Sequence, residues 1–348
     1  MKRIISLTLA TVMLLLLTAC TVPTKYKTRS KEISYIYFNT VSVVSSYGDM
    51  SDEEFEEHCS TIDKTLEYYH RLFDIYYEYS GINNLRTVNK NAGIEPVKVD
   101  AELIDFLEYC KELFTITKGK TNVMLGSVLR IWHDHREMAE DDPASSSVPD
   151  GALLAAAAAH TDISSLVIDR EAGTVYISDP EASIDVGAIG KGYVTELLYG
   201  MLKEAGVDSF ALNIGGNLRT IGVKPDGTEW STGITNPDRD SAESFVCRVR
   251  MGDTSLVTSG DYERYYMVGN KKYHHIIDPA TLAPANYFSS VSVFTPDSAL
   301  ADALSTALFC MSYEDGLALI NEIGDVEVIW VDTDYSVKMT KGVRLENP

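Results

Sequence analysis

The sequence predicts an α+β fold in one compact unit. Three observations carry that prediction. Helical patterning dominates up to about residue 205, strand patterning dominates after it, and no composition break divides the 348 residues into two domains. The segregation argues for mixed or antiparallel sheets packed by helices rather than a Rossmann-type parallel sheet.

The elements follow in order. Residues 33–44 suit a strand. SDEEFEE at 51–57 supplies a cap and an acidic first turn for a long helix over 51–78. A second helix is predicted over 101–114. AEDDPASSSVPDG at 139–151 reads as a loop, followed by a short helix over 151–160. LVIDREAGTVYIS at 166–178 reads as a hairpin, and a glycine-rich turn opens a helix over 190–205. The strands FALNIGG, NLRTIGV, FVCRVRM, SLVTSG, RYYMV, KYHHIID and SSVSVFT come next. Helices over 298–311 and 313–323 and a final strand pair close the chain.

Composition narrows the function. Hydrophobic residues make up 45% and charged residues 23%, which is a globular balance. The net charge of −21 repels phosphate backbones, so no nucleic-acid partner is expected. An anionic small substrate would need a metal ion or local cationic donors.

The N-terminus reads MKRIISLTLATVMLLLLTAC. Lys2 and Arg3 precede an apolar stretch too short to span a bilayer comfortably, and Leu17-Thr18-Ala19-Cys20 ends it. This resembles a bacterial lipoprotein signal over 1–19 with Cys20 lipidated; an ordinary signal peptide or a buried helix is the competing reading. Residues 20–32 would be a lipidated cysteine and polar, basic tether, and 33–348 the folded domain. The expected location is the extracytoplasmic face of the cell membrane, held by the lipid anchor. Cys59, Cys110, Cys247 and Cys310 form no CxxC pair and read as buried thiols.

Five stretches carry candidate chemistry. IDVGAIGKGY at 184–193 sets three glycines and Lys191 between a strand and a helix, as either a structural turn or a phosphate site. NIGGN at 213–217 reads best as a plain hairpin. In DSALADALSTALF, Asp302 and Thr306 are four apart and share a helix face. Both are hard oxygen donors suited to Mg²⁺ or Ca²⁺, and both have purely helical roles as the alternative. WHDHRE at 132–137 lacks a third zinc ligand nearby and reads as a polar helix end or loop. In KYHHIIDP, an ideal strand points His275 and Asp278 to opposite faces, so spacing implies no dyad, and Asp278 reads as a turn cap before Pro279.

Taken together these stretches resemble the ApbE family of FAD:protein FMN transferases. The ordered set is FNTVSV, FDIYYEYSGINNL, TKGKTNVMLGSVLRIW, IDVGAIGKGY, NIGGN, TSGDYERYY, HHIIDP and ADALSTALF. The resemblance implies a single ApbE-like, T-fold-related domain. It implies Mg²⁺-dependent transfer of the FMN half of FAD to a Thr or Ser hydroxyl of an exported or membrane redox protein, with release of AMP. The acceptor would carry a short Ser/Thr flavinylation motif. The alternatives are a FAD pyrophosphatase giving FMN and AMP, or a non-enzymatic FAD-binding lipoprotein.

By the same resemblance His275 is the proton acceptor and Ala188, Asp302, Ser305 and Thr306 are metal ligands. Phe38, Tyr76, Lys120, Thr121, Asn122, Asp185, Lys191 and Ile276 contact FAD. His274 is a structural neighbour. The sequence departs from the family pattern at Asn39 and Leu282, where glycine is usual, at Gly190, where alanine is usual, and at Ser305, where some relatives carry an acid.

Overall fold

The structure is a computed structural model and describes residues 26–34 and 36–346. Cys20, the signal segment and the first part of the tether lie outside the described residues.

In chain order the elements are β1 (Thr28–Ser34), β2 (Ser42–Tyr47), α1 (Asp52–Phe73), α2 (Leu85–Lys90), β3 (Val97–Lys98), α3 (Ala101–Ile116), α4 (Gly126–Asp141) and α5 (Gly151–Ala158). Then come β4 (Leu166–Asp169), β5 (Thr174–Ile177), α6 (Gly190–Glu204), β6 (Ser209–Ile214), β7 (Asn217–Gly222), β8 (Trp230–Thr235) and β9 (Phe245–Met251). The remainder are β10 (Ser255–Gly260), β11 (Tyr265–Val268), β12 (Lys271–His274), β13 (Ile277–Asp278), β14 (Ala283–Pro284), β15 (Phe288–Thr295), α7 (Ser298–Phe309), α8 (Tyr313–Ile323), β16 (Glu327–Asp332) and β17 (Val337–Met339).

An eight-stranded sheet in the order β1-β2-β6-β7-β10-β15-β16-β17 organises the molecule. Every neighbouring pair in it is antiparallel. Its two halves repeat one plan: two strands, a helical insertion, two strands. One core packs α1, α3 and α6 against the first half, through residues such as Ile62, Leu66, Phe106, Leu198 and Phe210. A second packs α7 and α8 against β15 and β16, through Val291, Leu304, Phe309 and Trp330. The β8–β9 hairpin contributes Trp230, Ile234 and Val249 to a further cluster with Leu256 and Ile329. The α+β prediction therefore holds.

Local departures have local causes. The strand predicted over 33–44 is two strands, broken at Tyr37–Asn39 by a 3₁₀ turn in which Phe38 (φ 55°) and Asn39 (φ 51°) are left-handed. The folded domain also starts before residue 33. Strand β1 begins at Thr28, because the basic residues read as a tether pair with the acidic start of α1: Arg29 Nε lies 2.7 Å from Asp52, and Lys27 and Lys31 pair with Asp52 and Glu56. Helix α1 has the predicted capping box at Ser51 and Glu54. It stops at Phe73, not residue 78, since Asp74 accepts from the Tyr76 and Tyr77 amides (2.6 and 3.0 Å) and starts a turn.

Helix α4 is an addition to the sequence reading. It runs to Asp141, three residues into the loop expected over 139–151, and WHDHRE lies inside it. NIGGN is the plain hairpin expected: Gly215 (φ 57°) and Gly216 (φ 91°) form its two-residue turn. A side chain at Gly215 would overlap Thr40, so the hairpin seats directly on the Phe38–Thr40 turn.

Candidate active site

Two structural units carry the candidate residues, and α7 touches both: the His274 ring lies 5.5 Å from that of Phe309 at the end of α7. The first is the contact between α6 and α7. A Cβ on Gly192 would overlap the Ser298 carbonyl oxygen and stand 2.5 Å from Asp302 Cβ, so glycine is what allows the two helices to approach. The approach puts the Gly192 amide 2.8 Å from Asp302 Oδ2, to which it donates. Asp302 is 5% exposed, and burial raises its carboxyl above the ordinary value, opposed by the Lys191 charge and the Gly192 amide. Lys191 Nζ lies 3.8 Å from Asp302 Oδ2 and 3.4 Å from the Gly187 carbonyl oxygen. Among the described residues no N–H is bonded to the Ala188 carbonyl, because the Gly192 amide is turned to Asp302 instead.

Asp302, the half-buried Thr306 one turn on, and the Ala188 carbonyl are hard oxygen donors of the kind Mg²⁺ takes. No group of three or more His, Cys, Asp or Glu suited to a metal occurs among the described residues. A cation held here would rely on carbonyl and hydroxyl oxygens as well as one carboxylate. Ser305 is not presented in the same way. It is fully buried, its hydroxyl donates to the Asp302 carbonyl at 2.9 Å, and it shares a 2.8 Å hydrogen bond with Ser259 of β10.

The second unit carries the histidines. β12 ends at His274 and β13 starts at Ile277, so His275 and Ile276 form a break, not a continuous strand. His274 is buried. Its Nε2 donates to the Ala285 carbonyl at 2.7 Å and its Nδ1 accepts from the Ile276 amide at 3.2 Å. Both of its ring nitrogens are committed within the fold. His275 Nδ1 lies 3.1 Å from the Arg264 carbonyl oxygen. A carbonyl only accepts, so Nδ1 carries the proton and Nε2 keeps its lone pair. Burial, then the Arg264 charge, pushes the His275 imidazole down to about 3.

The remaining predicted residues divide by what holds them. Asp185 caps the glycine turn, accepting from the Gly187 amide at 2.9 Å. Burial raises its carboxyl, opposed by that amide and by the positive charges of Arg136 and Arg264. Tyr76 is 53% exposed with its ring 5.4 Å from that of His133. Phe38 is half-buried, its amide donating to His70 Nδ1 at 3.4 Å. Lys120 is ion-paired with buried Asp278 at 2.9 Å; Asp278 also caps its turn through the Ala280 amide at 3.0 Å.

Three residues expected to contact FAD point their side chains elsewhere. Thr121 is 2% exposed and donates to the Ala303 carbonyl of α7 at 2.7 Å. Asn122 donates to the Thr161 carbonyl at 2.8 Å and accepts from the Met124 amide at 2.9 Å. Ile276 packs in the core beneath α7 and α8. All three side chains are thus committed to other parts of the fold.

The departures from the family pattern have conformational accounts. Asn39 (φ 51°) and Leu282 (φ 58°) both keep the left-handed backbone that a glycine would supply. A Cβ on Gly190 would stand 3.2 Å from the Phe73 ring, so glycine there accommodates the aromatic.

Two arginines escaped the sequence reading. Arg136 in α4 and Arg264 before β11 both bring positive charge to Asp185 and His275. Helical spacing from Trp132 was the signal available for Arg136. Arg264 sits in irregular chain and had none.

The ApbE family profile matches residues 38–330. A FAD:protein FMN transferase of Treponema pallidum is 32% identical over 275 residues, covering 74% of this chain and 73% of the relative. One from Klebsiella pneumoniae is 28% identical over 287 residues, covering 79% and 85%. The crystal structure of the ApbE protein of Thermotoga maritima superposes with a TM-score of 0.77 at 23% identity, covering 91% of this chain and 97% of that one. The flavin transferase ApbE of Vibrio cholerae gives a TM-score of 0.73 at 26% identity, covering 90% and 97%. The chain is a member of the ApbE family.

Proposed function

We propose that the protein transfers the FMN moiety of FAD to a Thr or Ser hydroxyl of an exported or membrane redox protein, releasing AMP. The observation that carries this reading is the His275 tautomer: Nδ1 donates to the Arg264 carbonyl, so Nε2 is an acceptor held in neutral form. The acceptor hydroxyl loses its proton to His275 Nε2. Its oxygen bonds to the phosphorus of the FMN half. The bond from that phosphorus to the bridging diphosphate oxygen breaks, and AMP leaves with the electron pair.

Asp302, Thr306 and the Ala188 carbonyl would hold a Mg²⁺. When bound, the ion would supply charge neutralisation for the diphosphate, which this acidic chain otherwise repels. Lys191, tethered between Gly187 and Asp302, adds a point charge beside the same donors. Tyr76, Phe38 and Asp185 contribute the flavin-binding walls. The acceptor carries a short Ser/Thr flavinylation motif, and the protein acts at the extracytoplasmic face, anchored through lipid on Cys20.

AMP release from FAD, followed with and without Mg²⁺ and an acceptor domain, tests the chemistry. Release that needs both supports transfer; release needing Mg²⁺ alone means hydrolysis. For the anchor, Cys20→Ala should move the protein from the membrane to the soluble fraction, and unchanged membrane association would refute it.

A further inference from the structure

Helix α4 carries a charge that the reaction above does not use. Trp132 anchors this helix on the unit that bears His275: its Nε1 donates to the Leu282 carbonyl at 2.9 Å, and its ring stacks on Tyr273 of β12 at 6.0 Å. Arg136 lies one turn further, four residues on, and so shares the Trp132 face. Its side chain is only 18% exposed.

Among the described residues, Arg136 has no buried counter-ion. Its Nη2 donates to His133 Nδ1 at 2.7 Å. An arginine only donates, so His133 holds its proton on Nε2, toward Glu137 at 3.3 Å, and is itself neutral. The carboxylate nearest Arg136 is Glu140, 3.5 Å away and 64% exposed. Asp185 feels the Arg136 charge without pairing with it. An oriented, mostly buried guanidinium whose ion-pair partner among the described residues is the exposed Glu140 carries a desolvation cost, and an anion offsets that cost. Its planar fork matches phosphate oxygens. Asp185 opens the turn that carries Ala188 and leads into Lys191 at the start of α6, so the Arg136 charge acts on the segment that presents Lys191.

We propose that Arg136 is a second phosphate-binding cation of this site, gripping the diphosphate of FAD and positioning it beside His275. This inference rests on the flavin-transfer reading.

Equilibrium binding to the whole protein in EDTA, where turnover is suppressed, tests it with three probes. FAD and ADP carry a diphosphate; riboflavin carries none. Arg136→Gln should weaken FAD and ADP binding by roughly ten-fold or more, and leave riboflavin binding unchanged, which also shows that the variant is folded. Arg136→Lys, keeping the charge without the fork, should recover part of the loss. Equal weakening of all three ligands, or no weakening of FAD and ADP, would overturn the inference. A parent protein that binds no FAD would instead overturn the flavin-transfer reading, and this inference with it.

Discussion

The backbone amide of Gly192 donates to Asp302 Oδ2 across 2.8 Å. That bond joins the first turn of α6 to the middle of α7, and it sets a desolvated carboxylate against the turn that carries Ala188 and Lys191. It requires that residue 192 have no side chain.

Gly192→Ala is therefore expected to act twice. The added methyl overlaps the Ser298 carbonyl and presses on Asp302 Cβ at 2.5 Å, costing about 1–3 kcal/mol of stability. Forcing α6 from α7 also disperses the oxygen donors. Denaturant unfolding should show the loss, and a Mg²⁺ titration of Tm should show weakened stabilisation. Full stability with normal Mg²⁺ response would contradict the close approach.

Asp302→Asn separates charge from shape. Burial raises the Asp302 carboxyl above its ordinary 3.8, so the native state holds that proton more tightly than the unfolded chain. The resulting stability is full below 3.8 and is lost as pH rises through the folded value. At pH 7 without Mg²⁺ the variant should thus match or exceed the parent, to within about 1 kcal/mol. With Mg²⁺ at a hundred times its Kd the parent should gain about 2.7 kcal/mol, and the variant almost nothing. Equal gains would remove Asp302 from the metal site.

His275 fixes the acid side of the pH profile. Its folded value is pushed down to about 3 from an ordinary 6.5, so the imidazole is already neutral when an unperturbed histidine would still be titrating. kcat/KM, which reports the free enzyme, should show no His275 limb near pH 6.5. Between about 3 and 6.5 the unfolded chain binds the extra proton, so this residue makes stability fall as pH drops below 6.5. His275→Ala should remove that component of the stability profile and slow transfer by ~10²–10⁴-fold. A limb at 6.5 that disappears in His275→Ala would contradict the depressed value.

Thr121→Val tests whether the residue lines the cleft or supports it. Loss of its hydrogen bond to the Ala303 carbonyl should cost about 1–2 kcal/mol of stability. The KM for FAD should not change. A raised KM with unaltered stability would return Thr121 to the flavin pocket.

Periodicity and capping were legible wherever one face of an element dictates burial. Ser51 and Glu54 announce α1, and the alternation of β6 and β7 around Gly215-Gly216 announces the hairpin. Contacts between distant segments were not. Nothing near Gly192 in sequence reveals that Asp302, 110 residues away, receives its amide. The side-chain commitments of Thr121 and Asn122 are equally long-range: their partners are Ala303 and Thr161. The 3₁₀ turn at Phe38 and Asn39 was invisible because its left-handed residues are not glycines. The motif order points to stretches of chain; the fold alone shows which side chains in them, such as Thr121 and Asn122, are committed to other segments.

Flavin transfer itself gives the most direct test. The protein is incubated with FAD, Mg²⁺ and a redox domain carrying a Ser/Thr flavinylation motif, then run on a denaturing gel. Flavin fluorescence on the acceptor band, dependent on Mg²⁺ and absent with His275→Ala, is the predicted result. A band of equal intensity with His275→Ala, or AMP released while no acceptor becomes fluorescent, would contradict the account.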